Sequence, residues 1–80
     1  MPVRTDSAPD PVLQAIGEAI RALRLERGIS QERLALVADV DRSYVGRIDR
    51  AENNIAVPTL VRIASALSIW VSELMARAGV

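Results

Sequence analysis

Apolar positions recur along the chain with the period of a helix. Val12, Ile16, Ile20 and Leu23, with Ala19 between them, share one helical stripe. Asp10 is a good N-cap, and Pro11 suits the first helical position, where its missing N–H costs nothing. Gly28 offers a left-handed C-terminal residue, so a first helix is predicted over roughly 11–27. Ser30 caps a second, about 31–38, with Leu34, Ala35 and Ala38 inward, and Ala38-Asp39-Val40-Asp41 breaks it. Asp41 caps a third, about 42–51, which turns Val45 and Ile48 inward and is ended by Asn53 and Asn54. Ile55 and Val57 lie in a connection expected to tuck into the core. Pro58 starts a fourth helix that buries Leu60, Ile63, Ala64 and Leu67, and Ser72 caps a short fifth carrying Leu74 and Met75. Helical periodicity, short loops and the lack of a strand pattern predict one all-α, five-helix domain over residues 10–80. Residues 1–9 have two prolines and no periodicity and read as a flexible arm.

Composition then removes whole classes of chemistry. The 80 residues suffice for one domain, and an apolar half is too much for a disordered chain. No stretch approaches the roughly 18 uncharged apolar residues of a membrane span. Met1-Pro2-Val3-Arg4-Thr5-Asp6 carries acid and proline where a signal peptide needs an apolar run, so a cytoplasmic protein away from membranes is expected. The chain has no cysteine and no histidine, hence no disulfide framework, no thiolate or imidazole metal site and no commonplace general base. A hydroxyl nucleophile would lack an activating base. A domain this small hardly encloses a water-excluded pocket beside its own core. A binding protein, without catalysis and without a cofactor, is the expectation.

Charge alone does not say what is bound. The formal net charge is zero and the pI about 6.2, unlike the strongly basic balance of many nucleic-acid binders. Yet all ten basic residues are arginine, the side chain suited to bidentate contacts with bases and phosphates. A GC-rich genome produces the same bias, so position must decide.

The second and third predicted helices, joined by a turn of three to four residues, form a helix-turn-helix unit. A small residue is needed where the helices cross, and Ala35 supplies it. Leu34, Val40, Val45 and Ile48 seal the unit, and Asp39 stands where the turn needs positive φ, which aspartate visits more often than most residues. Ser30-Gln31-Glu32-Arg33-Leu34-Ala35 resembles the second-helix opening of the phage-repressor-like helix-turn-helix family, a resemblance covering about residues 12–75. Within that family, Asp41-Arg42-Ser43-Tyr44-Val45, Ile48-Asp49-Arg50 and Asn54-Ile55 are similar to the controller proteins of restriction–modification systems. Those are small homodimeric regulators that bind operators near their own promoter.

The resemblance implies that the third helix enters the major groove of double-stranded operator DNA, with Arg42, Ser43, Gly46, Arg47 and Arg50 outward. Arg42, Ser43, Arg47 and Tyr44 become base-reading candidates. Gln31, Arg50 and Asn54 become phosphate candidates. The plainer alternatives are solvated surface arginines and a Tyr44 packed against the second helix. Gly46 would let the helix approach base edges closely. Arg24 and Asp49 match a structural ion pair bracing the first and third helices, and Asp41 reads as a cap. Trp70 lies between Ile69 and Val71, and three such neighbours hardly all face the core. An exposed Trp70, with Val71, Val61, Met75 and more weakly Val80, marks a homodimer interface, unless it folds back over its own core. A regulator of this kind represses by covering a promoter or activates by contacting RNA polymerase. The alternative function is a protein-interaction module, such as an antiactivator or antitoxin, that kept the fold and lost DNA binding.

Overall fold

The computed structural model describes residues 10–52 and 54–80; the predicted arm over 1–9 and the helix-ending Asn53 lie outside the described residues. Five helices and no strand occur among them: α1 Pro11–Glu26, α2 Gln31–Ala38, α3 Arg42–Asp49, α4 Val57–Ala66 and α5 Val71–Ala78. Among the described residues no single helix is long and apolar enough to cross a membrane.

Three helices start where a short acceptor side chain permits. Asp10 accepts from the Val12 N–H at 2.8 Å, Ser30 from the Arg33 N–H at 3.0 Å and Asp41 from the Ser43 N–H at 3.1 Å. The fifth helix departs from expectation. Trp70, not Ser72, is its N-cap, and the cap works in reverse: the Glu73 carboxylate accepts the Trp70 N–H at 3.2 Å. Val57 also departs. Ile55 packs against the core as expected, but the chain enters α4 at Val57, one turn ahead of the buried stripe that begins at Leu60, and Val57 stays 69% exposed. Val12 is exposed for the same reason, since it precedes by a turn the buried part of α1, which starts at Ile16.

The helices end alike. After each, one residue adopts a left-handed conformation: Gly28, Asp39, Ala51, Ser68 and Gly79. The N–H of the following residue then donates five residues back, Ile29 to Arg24, Val40 to Ala35, Glu52 to Arg47, Ile69 to Ala64 and Val80 to Met75, at 2.8–3.2 Å. This is the Schellman arrangement, which satisfies carbonyls that the helix itself leaves without partners. Glycine fills the left-handed position twice and other residues fill it three times.

One core joins all five helices, with Ile20, Leu34, Val45, Ile48, Ile63, Leu67 and Leu74 almost wholly removed from water. The third helix packs on α1 and α2, the fourth on α2 and α5, and the fifth on α1. An ion pair between Arg77 and Glu26 links α5 to α1. At the α1–α3 crossing Gly17 is decisive: a β-carbon there would collide with the Ile48 carbonyl oxygen. Backbone rather than side chain therefore sets the closeness of α3 to α1.

Candidate nucleic-acid interface

Beneath the exposed face of α3 lies a polar hub. Asp49 Oδ2 accepts from Arg24 Nη2 at 3.3 Å and from Gln31 Nε2 at 2.9 Å, while Arg24 Nη1 donates to the Ile29 carbonyl at 3.0 Å. The Arg24 and Asp49 side chains are only 10% and 7% exposed. Among the described residues Arg24 Nε and Asp49 Oδ1 have no hydrogen-bond partner, so the pair is incompletely satisfied and its members depend strongly on each other. The hub joins α1, the start of α2 and the end of α3. Gln31, expected to face outward toward phosphate, lines the cleft above and also donates its amide nitrogen into this hub, where Asp49 offers an acceptor.

Above the hub, Gln31, Asp41, Arg42, Ser43, Gly46, Arg47 and Arg50 line an open cleft of about 520 Å³. Arg42 is exposed and makes a loose ion pair, Nε to Glu32 Oε1 at 3.4 Å. Arg47 Nη1 lies 3.4 Å from Ser43 Oγ, and its guanidinium stands over the Tyr44 ring at 5.9 Å. Tyr44 is half-buried against the core, with its hydroxyl 3.5 Å from the Asn54 carbonyl oxygen. It faces a neighbouring cleft that it shares with Arg47, Val40, Thr59 and Arg62. Asn54 is exposed and lines neither. Arg50 pairs with Glu52, Nε to Oε2 at 2.8 Å. That hydrogen bond holds the Glu52 carboxyl below its ordinary pKa and raises that of Arg50.

Gly46 departs from expectation. It does not lie open on the outer face but is buried, because the Arg50 guanidinium folds back across it; a β-carbon at position 46 would sit 3.3 Å from Arg50 Nη1. Two residues near this face were not anticipated. Glu52 holds Arg50, and Arg62 Nε donates at 3.0 Å to the Ala38 carbonyl at the end of α2, a favourable place for a cation. The proximity of Glu52 to Arg50 in the chain could have suggested the first pair; nothing local suggests the second.

An apolar groove of about 460 Å³ lies elsewhere, lined by Val61, Ala64, Ser65, Ser68, Ile69, Trp70 and Val71. Trp70 is 76% exposed and does not fold back over its own core. Val61 is exposed, while Val71 and Met75 are half-buried against the core.

A family model described as helix-turn-helix matches residues 20–74, which include α2, α3 and the cleft between them. The chain belongs to the helix-turn-helix family. It is 34% identical over 68 residues to the control protein C.SmaI of Serratia marcescens, covering 85% of this chain and 81% of that one. Among solved structures, the restriction–modification controller protein C.AhdI of Aeromonas hydrophila superposes with a TM-score of 0.76 at 40% identity, covering 78% of this chain and 94% of that one. The controller C.Esp1396I, solved as a tetramer in complex with its natural 35 base-pair operator, superposes with a TM-score of 0.76 at 28% identity over 84% of this chain and 92% of that one.

Proposed function

We propose that this helix-turn-helix chain is a sequence-specific DNA-binding transcriptional regulator that acts as a homodimer on a two-fold symmetric operator and controls its own gene in the bacterial or phage-infected cytoplasm. The observation carrying this reading is the arginine-lined outer face of α3, seated on the hub that ties it to α1 and α2, in a chain similar to a controller solved on its operator.

Arg42 and Arg47 are the base readers, each able to donate two N–H groups from one guanidinium edge to guanine O6 and N7. Ser43 sits beside them with a hydroxyl that donates or accepts. Tyr44 acts through its ring, which supports the Arg47 guanidinium, and its hydroxyl marks the edge of the contact surface. Gln31 braces Asp49 through its side chain while the backbone N–H groups at the start of α2 meet phosphate. Asn54 is a further phosphate contact. Of the acids on or beside this face, Asp49 is buried in the hub, Asp41 is committed to capping, and Glu32 and Glu52 pair with Arg42 and Arg50, so the face keeps a surplus of guanidinium donors.

A single recognition helix reads few base pairs, and two copies with half-sites about 10 bp apart remedy this. Trp70 and Val61 are the anchors of the dimer, with Val71 and Met75 behind them. A dimer seated beside a promoter meets RNA polymerase either as an obstacle or as a contact.

The test is a titration of the DNA just upstream of the coding sequence at two salt concentrations. Tight, competitor-resistant binding in dimer steps that weakens with salt is expected. A folded dimer that prefers neither this fragment nor any duplex overturns the reading in favour of a protein partner.

A further inference from the structure

Trp70 stands at the corner where α5 leaves α4 at 93°. Its backbone is held firmly there. The N–H donates to the Glu73 carboxylate at 3.2 Å, and the carbonyl accepts the Leu74 N–H at 3.0 Å. Ile69 and Val71 on either side pack against the core, which turns the residue between them outward. The indole is therefore fixed at its root and stands 76% in water. The groove beside it has a complementary shape. Ala64, Ser65 and Ser68 are its small residues, and their short side chains leave an opening of about 460 Å³. The two hydroxyls suit the one polar atom of an indole, the Nε1–H, which needs an acceptor when it is buried.

We propose that Trp70 of each copy inserts into the α4–α5 groove of the other, so that the homodimer closes by reciprocal exchange of two indoles. The inference rests on the homodimer reading above and adds to it the seat of the anchor.

Symmetry permits the exchange and area requires it. Knob and seat adjoin on one surface, and an isologous contact presents the same surface twice. A specific dimer buries about 800 Å² on each partner, while α4 and α5 have only 10 and 8 residues. Ile69 and Val71 are half-buried already, which leaves Val61 and Trp70 as the exposed apolar side chains that line the groove. A flat contact would cover one side of each indole. Insertion covers both, and a fully covered aromatic removes about 150–250 Å² from water. The cost in order is small, because tryptophan has two rotatable side-chain bonds and its backbone here is already fixed.

The experiment is sedimentation equilibrium of the full chain, of Ser65→Leu, of Trp70→Ala and of the two variants mixed, with tryptophan emission read over the same concentrations. Trp70 is the only tryptophan, so the emission reports its seat directly. Wild-type emission should move to shorter wavelength as the dimer forms, which tests the seat without any substitution. Ser65→Leu puts an apolar side chain into the seat from an exposed helical position, where leucine favours the helix. A flat contact would gain from it. Insertion predicts dimerisation weakened about tenfold or more, as overpacking of a filled site does. In the mixture, the Trp70 of the Ser65→Leu copy meets the open groove of the Trp70→Ala copy. The mixed dimer should therefore form about tenfold more tightly than either variant's own. Unchanged emission in a wild-type dimer, a Ser65→Leu dimer as tight as the wild type or tighter, or no preference in the mixture overturns the proposal. A wild type that stays monomeric at every concentration overturns the homodimer reading itself, an outcome distinct from these.

Discussion

Two openings on this small domain have nearly the same size and opposite chemistry. The cleft over α3 is about 520 Å³ and lined almost wholly by polar side chains, and the groove at α4–α5 is about 460 Å³ and lined mostly by apolar ones. Volume does not separate them; what lies underneath does. The polar cleft stands on side-chain hydrogen bonds that converge on Asp49 from two other helices. The apolar groove rests on core packing, and its most prominent residue, Trp70, is exposed and makes no side-chain cap hydrogen bond. A surface held from below by directional bonds suits a ligand whose atoms must be met one by one. A groove with a bare tryptophan suits burial against another apolar surface, where area matters more than register.

If that contrast is sound, substitutions in the two places should fail differently. The largest effect belongs to Asp49→Ala, which strands the buried Arg24 charge and releases Gln31. A loss of about 3–5 kcal/mol in unfolding free energy is expected by denaturant titration. That is a large part of the stability of any small domain. Next, Trp70→Ala should weaken dimerisation on the order of thirtyfold, equivalent to about 2 kcal/mol, in sedimentation equilibrium, with the helical circular dichroism intact. A dimer of undiminished affinity would place the interface elsewhere and dissolve the contrast. Arg42→Ala should remove about 1–3 kcal/mol of discrimination between operator and random DNA. Its melting temperature and dimer affinity should stay unchanged, since its ion pair with Glu32 is exposed on both sides. Equal losses on both DNAs would reduce Arg42 to a phosphate contact.

The smallest effect comes from Ala51→Gly, at the left-handed end of α3. Relief of about 1–2 kcal/mol of left-handed strain is set against about 0.5–1 kcal/mol of added backbone freedom in the unfolded chain. A net gain near 0.5 kcal/mol is expected in thermal melts, with operator discrimination preserved because the Glu52–Arg47 backbone bond is kept.

Much of this architecture was legible because it is carried by residue type. Asp10, Ser30 and Asp41 bear short acceptors at helix starts, and Gly28 and Asp39 tolerate positive φ at helix ends. The remaining ends were not legible for the same reason: alanine and serine carry no mark of left-handed backbone, yet Ala51 and Ser68 adopt it. Trp70 has no acceptor to announce a cap, and its capping partner lies three residues ahead in Glu73. At the cleft, the outward positions of α3 followed from helical spacing, as did the grouping of Arg42, Ser43, Arg47 and Arg50. The burial of Gly46 did not, because it depends on where Arg50 folds back, and the turn of Gln31 toward Asp49 depends on how α2 meets α3. Both are decided by tertiary neighbours rather than by local pattern.

The crossing of α1 and α3 bears on how such a regulator could evolve. Residues 42 and 43 stand in water and can be exchanged for others without repacking anything beneath them. New operators are thus reachable by single steps, each tested on its own. Position 17 has no such latitude, since even a methyl group there would meet the backbone of α3, on which that outer face is carried. Drift in what is read and immobility in how the reader is held thus coexist in one short chain, and the second permits the first.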